Sequence, residues 1–280
     1  MEIKSLSEQL LFTTVRIKTS IPGGTSTGTG FIFEYSHNGH LYPFLVSNKH
    51  VVENSIEGWL EFNLADGEAP DLGNIHTIHY NDFKKQWFFH SNPEIDVAVS
   101  PFGPIINEMA KNNVTIFYRS ISNNLVPSEE VNKEINAIED VIIVGYPNGL
   151  YDTKHLLPIV RKGITATPAN IDFENQPKFI IDASIFPGSS GSPVFICNEG
   201  SFTKQGNVYV GSRIIFLGIV ASVYVRSEFN KLELIQIPTQ EIPGVRSCQM
   251  LDLGVVYKSS CIVEAIEQFL KQYTNINLET

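Results

Sequence analysis

The sequence predicts an all-β fold in two halves, and two observations carry this prediction. Most of the 280 residues fall into short apolar runs separated by glycine, proline, asparagine and aspartate. This pattern is typical of barrels or sandwiches rather than of alternating β–α units. Residues 101–113 contain two prolines, a glycine and three asparagines, which predicts a linker. We therefore expect a first domain over residues 1–110 and a second over residues 111–280.

Each predicted element follows from its local pattern. Strands in the first half are expected at residues 12–19, 29–35, 42–47, 59–63, 77–80, 86–90 and 96–100. Strands in the second half are expected at residues 114–119, 141–146, 159–167, 178–182, 194–197, 213–225 and 232–237. A capping box of Ser5 and Glu8 predicts a short helix over residues 5–11. Apolar residues at helical spacing predict a second helix over residues 260–273.

The composition narrows the class of protein. With 42% hydrophobic residues and a net charge of −10, the chain is globular and lacks the excess of Lys and Arg that binding to nucleic acid or an anionic membrane requires. The N-terminus is not a secretory signal, and no apolar run is long enough to cross a bilayer. Three widely spaced cysteines, Cys197, Cys248 and Cys261, favour a reducing compartment over a disulfide framework. We therefore expect a cytoplasmic protein that binds neither nucleic acid nor membrane.

Residues 186–193 carry the strongest sign of chemistry. They place a pair of serines ending at Ser190 between Gly188 and Gly191. Glycine adopts backbone angles that other residues avoid, so such a loop can turn sharply, present one hydroxyl and aim neighbouring N–H groups at one point. A nucleophilic serine and an oxyanion hole need both features.

Two upstream segments supply the other members of a catalytic triad. His50 follows the apolar run 44–46, and Asp96 precedes the apolar run 97–99. A carboxylate beside buried residues must be hydrogen-bonded or paired. Because His50 and Asp96 fall in the first half of the chain and Ser190 in the second, we expect the active site in the cleft between the halves.

These three segments, in this order, resemble the trypsin-like serine peptidases of the chymotrypsin fold, nearest to the bacterial Deg/HtrA branch. The family's nucleophile motif Gly-x-Ser-Gly-Gly-Pro is matched by residues 188–193, with Ser192 in place of the second glycine. The resemblance covers roughly residues 10–273. It implies two packed six-stranded antiparallel β-barrels with a C-terminal helix, without a PDZ module.

The resemblance also implies a role for each residue of the site. Ser190 would attack the scissile carbonyl, His50 would transfer the proton, and Asp96 would hold the histidine tautomer. The N–H groups of Gly188 and Ser190 would form the oxyanion hole. Ser47 would support Asp96 with a hydrogen bond.

The same resemblance assigns the substrate pocket to four residues. Ser184, six positions before the nucleophile, would lie at its base, and Ala221, Ser222 and Val223 would form its wall. No carboxylate is present among them to pair Arg or Lys, and Val223 replaces the glycine of wide pockets. The sequence therefore predicts a serine endopeptidase that prefers small or medium apolar residues before the cut.

A second function stays open: a catalytically silent trypsin-fold module that binds peptides or a partner. Ser192 in the motif, and Ala221 where many members have serine, keep this alternative open. His76 and His79 invite a metal interpretation, but residues three apart on a strand face opposite sides. We expect no metal and no cofactor. The predicted partners are a protein or peptide substrate and a possible regulatory protein.

Overall fold

The computed structural model describes residues 3–231 and 244–274. The helices in these residues are α1 (Leu6–Leu10), α2 (Lys49–Val52), α3 (Gly103–Lys111), α4 (Glu129–Glu134) and α5 (Ser259–Tyr273). Short 3₁₀ helices occur at Phe83–Gln86, Asn123–Leu125 and Pro147–Gly149. Among the described residues, no helix combines the length and the apolar character that crossing a membrane requires.

The first half of the chain forms one nine-stranded sheet. Its strands are β1 (Thr14–Ile21), β2 (Gly24–His37), β3 (His40–Ser47), β4 (Glu57–Asp66), β5 (Ala69–Tyr80), β6 (Phe88–Phe89), β7 (Ala98–Pro101), β8 (Ile116–Phe117) and β9 (Ile121–Ser122). The strand order is β5-β4-β1-β2-β3-β7-β6, with β8 paired to β4 and β9 paired to β2. The sheet is therefore built mainly from neighbouring antiparallel hairpins.

The second half forms a closed barrel. Its strands are β10 (Asp140–Gly145), β11 (Ile159–Thr165), β12 (Lys178–Asp182), β13 (Pro193–Asn198), β14 (Ser201–Lys204), β15 (Asn207–Val210), β16 (Arg213–Lys231) and β17 (Gly244–Lys258). The barrel closes in the order β10-β11-β12-β17-β16-β13, and β14 pairs with β15 in a separate hairpin. Alternation on β10 turns Val141 and Ile143 into the barrel core, against Phe179 and Ile181 of β12.

A third apolar cluster joins the two halves. Phe31 of β2 meets Phe216 of β16 edge to face, with ring centres 5.4 Å apart. The buried side of α5, with Ile262 and Ile266, packs on the same cluster. Each such side chain removed from water contributes about 1.5–3 kcal/mol. This packing fixes the cleft where the two halves meet.

The all-β prediction is confirmed, with a closed six-stranded barrel, a second sheet and a C-terminal helix. The capping box at Ser5 and Glu8 is present at α1. In the first half, nine strands share the sheet, where the resemblance implied six and the local pattern seven. β8, expected in the second half, and β9, not expected, both join this sheet. The strand expected at residues 232–237 lies outside the described residues.

The predicted linker at residues 101–113 is wrong, because it contains α3. Pro104 stands in the first turn, where a missing N–H costs no hydrogen bond. Ile105 and Met109, four positions apart, are buried against the first sheet. The first sheet also continues past residue 110 as far as β9, and the domain division itself stays a prediction.

Candidate active site

The end of β3 brings His50 to Asp96. β3 and β7 are antiparallel neighbours with Ser47 opposite Ala98, so the residues just after β3 lie beside those just before β7. His50 follows in the single turn of α2. Asn48 fixes the start of that turn, since its Nδ2 donates to the carbonyl oxygen of Asp96 at 2.7 Å.

The carboxylate of Asp96 binds His50 twice. Its Oδ1 accepts the backbone N–H of His50 at 3.0 Å, and its Oδ2 lies 2.5 Å from the ring Nδ1. An ionised carboxylate only accepts hydrogen bonds, so Nδ1 carries the proton and Nε2 is left as a proton acceptor. The two side chains are 44% and 24% exposed, and the pair therefore stands at a surface cleft.

Two glycines shape the loop that carries Ser190. Gly188 and Gly191 both have a φ of 88°, in the left-handed region that side chains disfavour. A Cβ on Gly188 would lie 2.7 Å from the carbonyl oxygen of Tyr146, and one on Gly191 would lie 1.8 Å from that of Thr29. The loop thus packs directly against neighbouring backbone and needs glycine at both positions.

Two N–H groups of this loop point to a binding role. The N–H groups of Ser189, Gly191 and Ser192 all donate to backbone carbonyls. Within the described residues, the N–H groups of Gly188 and Ser190 donate to no protein acceptor. These are the two donors that the family resemblance assigned to an oxyanion hole.

The hydroxyl of Ser190 is bonded to Ala221 and not to His50. Its Oγ donates to the carbonyl oxygen of Ala221 at 3.3 Å, and the described part of the chain contains no hydrogen bond between Ser190 and His50. Both residues nevertheless line one cleft of about 430 Å³. The other residues of this cleft are Thr25, Ser26, Thr27, Val51, Asn148, Pro187 and Gly188.

Thr29 of β2, which sequence reasoning did not single out as a site residue, ties the Ser190 loop to the first sheet. Its N–H donates to the carbonyl oxygen of Ser190 at 2.9 Å, and its Oγ1 donates to that of Gly188 at 3.1 Å. The expected hydrogen bond from Ser47 to Asp96 is wrong. The Ser47 hydroxyl donates instead to the carbonyl oxygen of Thr29 at 2.7 Å, because Ser47 is buried where β3 lies beside β2.

Ser192, the departure from the family motif, is accommodated by packing. Its hydroxyl is buried and has no hydrogen-bond partner among the described residues. A Cβ on Gly145 would lie 2.0 Å from that hydroxyl oxygen. Gly145 therefore leaves the room that the side chain of Ser192 occupies.

Tyr257 of β17 links the barrel to the Asp96 segment. Its hydroxyl donates to the carbonyl oxygen of Glu94 at 2.6 Å. Burial raises the pKa of the Tyr257 hydroxyl, and the nearby charge of Asp96 raises it further, so it stays a protonated donor at neutral pH. Sequence reasoning missed Tyr257, because no local pattern connects it to residues so far away in the chain.

The four predicted pocket residues are not among those that line the cleft of His50 and Ser190. Ala221 meets Ser190 through its carbonyl group. Ser222 and Val223 continue β16 beyond it, and both pair with β17. The structure therefore brings Ala221 to Ser190, with Ser222 and Val223 following it along the strand.

Ser184 contacts a residue that sequence reasoning missed. The carbonyl oxygen of Ser184 accepts from Nη1 of Arg161 at 2.8 Å. The guanidinium carbon of Arg161 lies 4.7 Å from the ring centre of Phe186. Only the register of β11 in the barrel could have placed this charge beside the predicted pocket base.

The sequence comparison assigns the family. The family model of the trypsin-like peptidase domain matches residues 28–203, which is more than half of the chain and spans His50, Asp96 and Ser190. The chain therefore belongs to the trypsin-like peptidase family. Among curated proteins, none matches this chain in sequence.

Solved structures of three proteins illustrate the similarity. The serine endoprotease from Yersinia pestis is 15% identical with a TM-score of 0.49, over 96% of this chain and 68% of that chain. Rv3671c from M. tuberculosis, in an inactive form, is 14% identical with a TM-score of 0.44, over 97% and 92%. Catalytically active tobacco etch virus protease, with product, is 13% identical with a TM-score of 0.45, over 80% and 73%.

Proposed function

We propose that this protein is a serine endopeptidase that hydrolyses peptide bonds through His50, Asp96 and Ser190. One observation carries the proposal. Asp96 holds His50 by two hydrogen bonds that leave Nε2 free, and Ser190 lines the same cleft as that histidine. Membership of a peptidase family supports peptide-bond hydrolysis as the reaction.

The chemistry follows from these positions. His50 Nε2 takes the proton of the Ser190 hydroxyl as Oγ bonds to the scissile carbonyl carbon. The N–H groups of Gly188 and Ser190 stabilise the oxyanion, and the loss of one such donor costs about 3–4 kcal/mol. Collapse breaks the C–N bond, His50 returns the proton to the leaving amine, and water then hydrolyses the acyl-enzyme by the reverse roles.

The resting hydrogen bond of Ser190 favours a second candidate. Its hydroxyl donates to the carbonyl oxygen of Ala221, so Ser190 must give up this hydrogen bond before His50 can take the proton. Ser190 is half-buried, and side chains that are not fully packed exchange between staggered rotamers. Peptide hydrolysis through this serine requires such an exchange. A protein in which the serine stayed on Ala221 would be a catalytically silent module that binds peptides or a partner.

The finer part of the proposal is which substrate side chain the peptidase prefers before the cut. Small or medium apolar residues before the cut stay a prediction from Ser184 and the wall residues Ala221, Ser222 and Val223. Arg161 adds a positive charge beside Ser184 that this prediction did not include.

Hydrolysis of a peptide library by purified protein tests the function. We expect Ser190→Ala to lower the rate of cleavage by about 10⁴-fold or more. Ser201→Ala, which removes an exposed hydroxyl on β14, should leave the rate unchanged. Cleavage that persists in Ser190→Ala would contradict the proposal, and a folded wild type that binds peptides without cleaving them would favour the silent module.

A further inference from the structure

Arg161 lies on the inner face of the barrel. Arg161 of β11 is directly opposite Ile143 of β10, and directly opposed residues of antiparallel strands share a face. Ile143 is 3% exposed and belongs to the barrel core. The neighbours Val160 and Lys162 are exposed on the outer face. The side chain of Arg161 therefore starts from the inner face, while its neighbours face solvent.

Among the described residues, the hydrogen bond and the ring contact of Arg161 are with neutral groups. Its Nη1 donates to the carbonyl oxygen of Ser184, and its guanidinium lies over the ring of Phe186. Its Nε is buried and has no partner among the described residues. A buried donor without an acceptor is costly. The second terminal nitrogen, Nη2, also has no acceptor among the described residues but is not buried, so a ligand can reach it.

Two other partly buried arginines differ from Arg161 in this respect. Arg16 pairs with Glu61 and Arg213 pairs with Glu139, each at 2.8 Å. Within residues 3–231 and 244–274, no carboxylate pairs with Arg161. The charge of Arg161 is therefore available to a carboxylate from outside the chain.

The contacts of Arg161 lie on the segment that leads to Ser190. Ser184 and Phe186 precede the nucleophile by six and four positions. The N–H of Phe186 in turn donates to the hydroxyl of Ser189, the residue beside the nucleophile. The guanidinium is thus attached to the same short loop that presents the Ser190 hydroxyl.

We propose that Arg161 is a specificity-determining residue that binds the acidic side chain of the substrate residue supplying the attacked carbonyl. This inference rests on the proposed function. A glutamate or aspartate carboxylate would accept from the unused N–H groups of the guanidinium, a pairing that planar Arg favours over Lys. The preference before the cut is then for acidic residues, in place of small or medium apolar ones.

Matched peptides test this inference through a ratio that does not depend on how much protein is folded. The peptides differ only at the residue before the cut, which is Glu, its neutral isostere Gln, or Leu. We expect wild-type kcat/KM to be about 10- to 100-fold higher for Glu than for Gln, the range for a hydrogen bond to a charged group. Arg161→Gln should bring the ratio close to 1, and Arg161→Lys should retain part of it.

Lys162→Gln is the control variant. It removes the same charge from the next position of β11, where Lys162 pairs with Asp140 on the outer face at 2.7 Å. The Glu-to-Gln ratio should stay as in wild type. A wild-type ratio near 1, faster cleavage after Leu than after Glu, or an equal loss of the ratio in both variants would overturn the inference.

A binding measurement distinguishes a failure of this inference from a failure of the proposed function. Titration calorimetry of Ser190→Ala with peptides that end in Glu or Gln needs no turnover. Tighter binding of the Glu peptide, lost when Arg161→Gln is added, supports the inference even if wild type cleaves nothing and the proposed function fails. Equal binding of the two peptides overturns it.

Discussion

The two parts of the candidate site are built in different ways. His50 and Asp96 meet because β3 and β7 are neighbours in one sheet, and two hydrogen bonds join them. Ser190 belongs to a loop of the barrel that Thr29 holds from the first sheet, and its hydroxyl is bonded to Ala221. The position of His50, the candidate base, is thus set by the register of a single sheet. The position of Ser190, the candidate nucleophile, depends on contact between the first sheet and the barrel.

The largest expected effect on kcat/KM comes from replacing the carboxylate that orients His50. Asp96→Asn should lower kcat/KM by about 10⁴-fold, because an amide in place of the carboxylate favours the wrong tautomer of His50. The fold should persist, since the apolar clusters are untouched. Peptide hydrolysis and circular dichroism measure the two effects.

Asp140→Asn is the matched control for that variant. Asp140 lies at the exposed start of β10 and is paired with Lys162. A surface pair contributes about 0–1 kcal/mol, so kcat/KM should change less than twofold. Equal losses in the two variants would mean that Asp96 has no special part in the reaction.

The second-largest expected effect comes from disturbing the contact between the Ser190 loop and the first sheet. Gly191→Ala would place a methyl group 1.8 Å from the carbonyl oxygen of Thr29. We expect the free energy of unfolding to fall by about 1–3 kcal/mol. Displacement of the serine by about 1 Å should lower kcat by about 100-fold. Thermal unfolding and single-turnover hydrolysis test the two expectations.

Gly200→Ala is the control for Gly191→Ala. It separates the effect of backbone strain from the effect of close contact with a neighbouring atom. Gly200 has a φ of 92°, and no atom lies within 4 Å of the position that a Cβ would take. This variant should show the strain alone, with kcat unchanged. If Gly191→Ala behaved in the same way, the contact with Thr29 would not hold the nucleophile in place.

The smallest expected effect is on the free energy of unfolding, and it concerns the hydroxyl of Ser192 in the same loop. Ser192→Ala removes a buried hydroxyl without a described partner, so the free energy of unfolding should stay the same or rise. Ser55→Ala removes a buried hydroxyl that donates to the carbonyl oxygen of Val52 at 2.6 Å, and should lower it by about 1 kcal/mol. Chemical denaturation compares the two. A large loss in Ser192→Ala would show that this hydroxyl has a binding partner.

Local sequence pattern predicted much of the fold. The strand at residues 178–182 and the helix near residues 260–273 have the predicted bounds within one residue, because alternation and helical spacing are local signals. The helix α3 was missed, since the prolines and asparagines of residues 101–113 outweighed the spacing of Ile105 and Met109. Among the two-residue strands, β6 and β8 fall inside the strands expected at residues 86–90 and 114–119, whereas β9 falls outside every predicted strand, because two residues are too few to show alternation.

The same distinction between local pattern and long-range pairing applies to the candidate site. Motifs in the sequence named His50, Asp96 and Ser190, and the structure brings His50 and Asp96 into direct contact. The partners of Ser47, Ser190 and Arg161 depend on which strands pair and in which register. Those pairings join residues far apart in the chain, and no local pattern specifies them.

Labelling by an active-site-directed fluorophosphonate tests the central claim most directly, because it reports a reactive serine without any assumption about substrate. Peptide mapping of labelled wild type should locate the label on Ser190, at one label per chain. Asp96→Asn and His50→Ala should slow labelling strongly, and Ser190→Ala should abolish it. A folded wild type that stays unlabelled, or a label on another residue, would contradict the account.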